Sequence, residues 1–103
     1  MNKRLMMLES MTAGGKADAF AWYGLAMEYR RDGRTADALR TFETLRAQHV
    51  DYLPMYLMAG QTLIDAARPE EARAWLTAGI ALAEAQGASH ALGELESALS
   101  SLS

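Results

Sequence analysis

Apolar residues along this chain recur at helical spacing in short blocks, and glycine or proline separates the blocks. Trp22, Leu25, Ala26 and Tyr29 fall at i, i+3, i+4 and i+7, which is one stripe on one helix face. Gly33 follows and is expected to end that helix, because glycine reaches the left-handed backbone region at no steric cost. Ala38, Leu39, Phe42 and Leu45 form a second stripe, and Tyr56, Ala59, Gly60 and Leu63 a third. Pro69 opens the next helix, where its missing N–H costs nothing, with Glu70 and Glu71 in the first turn where carboxylates suit the helix dipole. Ala72, Trp75, Leu76 and Ile80 complete that stripe. At the N-terminal end Leu5, Leu8 and Met11 predict a further helix closed by Gly14-Gly15. At the other end Gly87 terminates a helix and Ser89 is expected to cap the next. Leu92, Leu95, Leu99 and Leu102 give its narrower stripe, with Glu94 and Glu96 outside it.

The stripes repeat. A shift of 34 places Trp22 on Tyr56, Ala26 on Gly60, Tyr29 on Leu63, Ala38 on Ala72 and Phe42 on Leu76. All five positions are expected to be internal in paired helices. Ala26, Ala38, Gly60 and Ala72 stand where two helix backbones approach closely, and the aromatic residues fill the remaining space.

The spacing W-x2-L-A-x2-Y-x3-G-x4-A-x3-F, from Trp22 to Phe42, resembles the tetratricopeptide repeat. The second copy, Tyr56 to Leu76, departs from the pattern. Ala67 replaces the turn glycine, and no proline closes either repeat at the usual place. The resemblance covers residues 19 to 86. It implies an all-α fold of antiparallel helix-turn-helix repeats, stacked as a short right-handed solenoid of about six helices. Residues 1–103 are read as a single domain: a half-repeat helix at 2–13, repeats at 19–52 and 53–86, and a capping helix at 89–102. Terminal helices of this kind cover the apolar end of a stack, and three helix pairs meet the rough minimum for stability.

The same resemblance implies a protein–protein interaction module whose ligand lies along the first helix of each pair. Carried over by position, the concave groove shows Phe20, Tyr23, Met27, Arg30 and Arg31, then Leu57, Met58, Gln61 and Ile64. These residues lie off the packing stripes, and methionine accommodates partners of varied shape. Family members that clamp acidic peptide tails carry Lys and Asn one turn apart on the first groove helix. Tyr23 and Met27 occupy the matching positions here, so a more apolar peptide or helix is the expected ligand. Self-association of two copies through the same groove or an end helix is the alternative.

Composition narrows the function further. Half of the 103 residues are hydrophobic and 22% are charged, which is the profile of a globular chain with a core of its own. Ten basic and thirteen acidic residues leave a net charge of −3, which argues against general affinity for nucleic acid or for anionic membranes. The basic residues are eight Arg and two Lys, which together with frequent alanine suggests a GC-rich bacterial genome. There is no cysteine, so disulfides and thiolate metal sites are excluded, and a reducing compartment fits. Glu9 interrupts the only stretch that could pass for a secretion signal, and the longest uncharged run, Ala74 to Ala83, is too short to span a membrane. A soluble cytoplasmic protein is expected.

Candidate chemistry is sparse. His49-x-Asp51 and His90-x3-Glu94 each supply two potential metal ligands where three or four are needed. Ser89 and His90 are neighbours in sequence and do not face each other on a helix. Gly14-Gly15 lacks the lysine of a phosphate-binding loop. Arg30, Arg31 and Arg34 are the densest polar cluster: as cations at a helix C-terminus they suit the dipole, and their guanidinium forks suit an oxyanion on a partner. Neither an enzyme nor a cofactor is expected.

Overall fold

The computed structural model describes residues 2–102. Among them the chain is all-helical: six helices, α1 (Lys3–Thr12), α2 (Ala19–Arg31), α3 (Thr35–Gln48), α4 (Pro54–Asp65), α5 (Pro69–Gln86) and α6 (Ser89–Ser100). They form two compact units that divide between Val50 and Asp51.

In the first unit α2 packs on both α1 and α3. Its core consists of Leu5 and Leu8 from α1, Ala21, Trp22, Leu25 and Ala26 from α2, and Ala38, Phe42 and Leu45 from α3. The Asp18 carboxylate starts α2 by accepting the Ala21 amide at 2.8 Å. The Trp22 indole N–H donates to Gln48 at 3.2 Å, and the Gln48 amide in turn donates to the Gly15 carbonyl at 2.8 Å. The end of α3 therefore holds the loop that precedes α2.

In the second unit α5 packs on α4 and α6, and α4 also meets α6. Met55, Tyr56, Ala59, Leu63, Ala72, Leu76, Ala83 and Leu95 are buried there. The Tyr56 ring lies 5.7 Å from that of Trp75 at a tilt of 54°, a favourable aromatic arrangement. Two glycines make the close helix approach possible. A Cβ on Gly60 would meet Leu76 Cδ2 at 2.6 Å, and one on Gly79 would meet Tyr56 Cβ at 2.6 Å and Leu95 Cδ2 at 2.9 Å.

The turn inside each pair is built twice on the same plan. After α2, Gly33 has φ +77°, its N–H donates to the Arg30 carbonyl and the Arg34 N–H donates to the Tyr29 carbonyl. After α4, Ala67 has φ +60°, its N–H donates to Ile64 and the Arg68 N–H donates to Leu63. Both are the Schellman closure, which satisfies carbonyls the helix end would otherwise leave bare. The next residue repeats too: Arg34 pairs with Asp37 at 2.9 Å, and Arg68 grips Glu71 with two bonds of 2.7 and 2.6 Å. Residues 33 and 67, 34 and 68, and 37 and 71 all keep the 34-residue offset.

Three details depart from the sequence reading. Met11 is exposed, and Thr12 takes the buried place on α1 because its hydroxyl donates to the Leu8 carbonyl at 2.9 Å. Ser89 is the first helical residue of α6 and Ala88 is its cap. The left-handed turn at Gly87 donates the Ala88 N–H to the Ala83 carbonyl and leaves no spacer residue before the new helix. Tyr29, expected in the packing stripe, is half-buried and turned toward α1, and Leu39, Trp75, Ile80, Leu92, Leu99 and Leu102 of the other stripes are half-buried as well.

Candidate apolar docking faces on the first helices

On α2, Phe20, Tyr23, Met27 and Arg30 follow one another at steps of three or four and share a face. Phe20 is 74% exposed, the largest exposure among the big apolar side chains of the described residues. Tyr23, Met27 and Arg30 are half-buried, and Arg31 is exposed at the helix end. On α4, Leu57, Met58, Gln61 and Ile64 are all half-buried along one side. Tyr23 and Leu57, Met27 and Gln61, and Arg30 and Ile64 are again 34 apart, so each repeat presents a corresponding face. Opposite these faces lie the buried stripes, Trp22 and Ala26 on α2 and Tyr56, Ala59 and Leu63 on α4.

Why these side chains stay at least partly uncovered follows from the helix geometry. A helix has room for roughly one apolar stripe against its partner. Ala21, Trp22, Leu25, Ala26 and Glu28 are buried where α2 packs on α1 and α3, and Glu28 meets Asn2 and Arg4. Phe20 and Met27 lie outside that buried set.

The charged residues near α2 are already engaged with their own unit. Glu28 is buried and receives the Asn2 amide at 3.0 Å and the Arg4 guanidinium at 3.2 Å, which pins α1 to α2. The same Asn2 side chain caps α1 by accepting the Leu5 amide at 3.0 Å. At the next residue, the Tyr29 hydroxyl donates to Glu9 at 2.6 Å. Burial, then this bond to a carboxylate, pushes the Tyr29 hydroxyl up to about 12. Arg34 lies over the Tyr29 ring, 4.7 Å from its centre, besides its bond to Asp37. Of the three clustered arginines, Arg34 is thus spent on the turn.

Sequence reasoning missed the burial of Glu28. The available signal was an acid in register with Ala21 and Leu25, on a chain that carries Arg4 on the neighbouring helix. It also missed the outer face of α1, where Met6, Met7 and Met11 are exposed.

The histidines stand apart from any such constellation. His49 contacts the Ala17 carbonyl at 3.2 Å, and exposed His90 lies 3.6 Å from Glu94 one turn along α6. No group of three or more His, Cys, Asp or Glu that could hold a metal ion occurs among the described residues. No helix among them is long and apolar enough to cross a membrane.

No protein-family model matches the chain, and no curated protein sequence matches it significantly. Solved structures do. A tetratricopeptide-repeat domain protein from Salinibacter ruber superposes with a TM-score of 0.77 at 29% identity, over 82% of this chain and 94% of that one. A protein from Bordetella parapertussis superposes with a TM-score of 0.84 at 24% identity, over 99% of this chain and 89% of that one, a likeness of fold alone. The chain has the tetratricopeptide-repeat fold that its motif from Trp22 to Phe42 implied.

Proposed function

We propose that this chain is a protein-interaction module that holds an apolar peptide or helix of a partner against the first-helix face of a repeat. The tetratricopeptide-repeat fold is in general a protein-interaction fold and typically a scaffold without catalysis. The observation that carries the reading is Phe20: a phenylalanine 74% exposed at the head of a face continued by Tyr23 and Met27. Helical ligands dock with anchors spaced three and four residues apart, and extended ligands dock through alternate side chains. On α4 the corresponding anchors are Leu57, Met58 and Ile64, with Gln61 as a polar contact. Arg30 and Arg31 orient the ligand by charge at the end of α2.

The test compares the wild-type chain with Phe20→Glu, Tyr23→Glu and Leu57→Glu variants as baits in a quantitative capture from the host's lysate. Helical circular dichroism verifies that each variant is folded. Phe20→Glu is the cleanest probe, because an exposed position away from the core shifts stability by less than about 0.5 kcal/mol. A partner held by the wild type and lost from folded Phe20→Glu supports the reading. Equal capture by wild type and by all three folded variants overturns it. Recovery of the chain itself as the captured species would mean that two copies fill these faces for each other.

A further inference from the structure

The sequence holds seven methionines and no cysteine, so thioethers are the only sulfur an oxidant can reach. Their burial is graded. Met6, Met7 and Met11, all on α1, are 54%, 54% and 55% exposed, whereas Met27 and Met58 are half-buried and Met55 is wholly buried. We infer that α1 is a methionine-oxidation site, with Met6, Met7 and Met11 taking up oxygen from peroxides ahead of the methionines on the docking faces.

The chemistry is a two-electron transfer. A sulfur lone pair attacks the outer peroxide oxygen, the O–O bond breaks, and the displaced oxygen leaves as water or as an alcohol once protonated. Sulfur is oxidised to the sulfoxide and the peroxide is reduced. Sulfoxide reductases reverse the change, so the mark is removable. Access of the oxidant to sulfur sets the order of reaction, and α1 offers three such sulfurs within two turns.

The fold tolerates the change. Helix α1 is held by Leu5, Leu8 and Thr12, by Glu28 on Asn2 and Arg4, and by Tyr29 on Glu9. None of these contacts involves the sulfur of Met6, Met7 or Met11. Oxidation therefore turns an apolar outer surface into a polar one while α1 stays docked. The same modification at Met55, packed among core side chains, would break the second unit.

The experiment is a time course with hydrogen peroxide on the folded protein, followed by tryptic digestion and mass spectrometry. Cleavage after Arg4, Lys16 and Arg30 puts Met6, Met7 and Met11 alone in the peptide 5–16 and Met27 alone in 17–30. Met55 and Met58 share a peptide and are told apart by fragmentation. The expected result is severalfold faster uptake per methionine in 5–16, to three oxygens, with helical circular dichroism unchanged. Met27 and Met58 follow, and Met55 comes last. Uptake at Met27, Met55 or Met58 as fast as the uptake per methionine in 5–16 would overturn the inference. So would uptake in 5–16 that proceeds only in step with loss of helix. A Met6→Leu, Met7→Leu, Met11→Leu variant keeps the question open to refutation: it should fold and leave the rates at Met27 and Met58 unchanged.

Discussion

At the scale of single residues, the most informative position is the one where the second repeat departs from its motif. Ala67 stands where the first repeat has Gly33, yet the backbone does the same thing at both, φ +60° against φ +77°. The hydrogen bonds repeat as well, Arg68 to Leu63 and Arg34 to Tyr29, each at 2.9 Å. The turn is thus imposed by the helix pair, and the alanine tolerates it. A left-handed conformation costs a residue with a Cβ about 1–2 kcal/mol, and part of the gain from glycine is lost to its freer unfolded chain. Ala67→Gly should therefore stabilise the protein by about 0.5–1 kcal/mol, read as a rise in melting temperature of about 2–8 °C. A melting temperature that stays level or drops would mean that Ala67 gains something else from its side chain. This turn was legible in the sequence because a missing glycine is visible only against the 34-residue period. The cap of α6 was not: Ser89 has the better capping side chain, but the tight closure at Gly87 makes Ala88 the boundary residue.

At the scale of elements, the helix pairs were legible because their core positions carry size as well as hydrophobicity. Ala26, Ala38 and Ala72 are fully buried, as are the large residues Phe42 and Leu76 that fill the space around them. What the sequence hid was how the third helix of each unit docks. Glu28 reads as an ordinary surface acid until α1 places Asn2 and Arg4 beside it, on a helix that buries Thr12 and leaves Met11 exposed. In the second unit the hidden residue is Gly79, which touches Tyr56 on α4 and Leu95 on α6. Glycine inside a helix normally costs about 0.8–1 kcal/mol relative to alanine. Replacing it should then help, unless the space is taken. Gly93, in the middle of α6, has nothing within 4 Å of an added Cβ, whereas the Cβ of Gly79 would sit 2.6 Å from Tyr56 Cβ, an atom fixed to the α4 backbone. Gly93→Ala should stabilise by about 0.5–1 kcal/mol. Gly79→Ala should destabilise by about 1–3 kcal/mol as α4 and α5 are forced apart. Urea unfolding of the two variants measures both signs, and a stabilised Gly79→Ala would show that the helices separate at no cost.

At the scale of the whole molecule, fold and ligand are recorded in different kinds of residue. The fold is written in buried positions that recur at one offset, so a single chain discloses it. A ligand's chemistry would be written in exposed positions such as Phe20, which the packing of the fold does not constrain. What the chain does disclose is the balance of forces available to a partner. The net charge is −3, Arg34 is committed to Asp37 and Glu28 to Arg4, while Phe20, Met27, Leu57 and Met58 offer uncharged surface. Recognition on these faces should be carried by apolar burial, with Arg30 and Arg31 a secondary, orienting contribution. Salt separates the two. Screening weakens exposed charge pairs as the Debye length falls to a few ångströms, but it leaves apolar contact intact or strengthens it. Raising sodium chloride from about 0.05 M to 0.5 M should therefore lower the partner's affinity by less than about tenfold, whereas a ligand held through several phosphates would lose about a thousandfold or more over that range. The measurement is capture of the Phe20-dependent partner at the two salt concentrations. A loss of about sixtyfold, as two arginines neutralising two phosphates would give over that range, would transfer the binding from the apolar faces to the arginines and would make Arg30 and Arg31 the anchors.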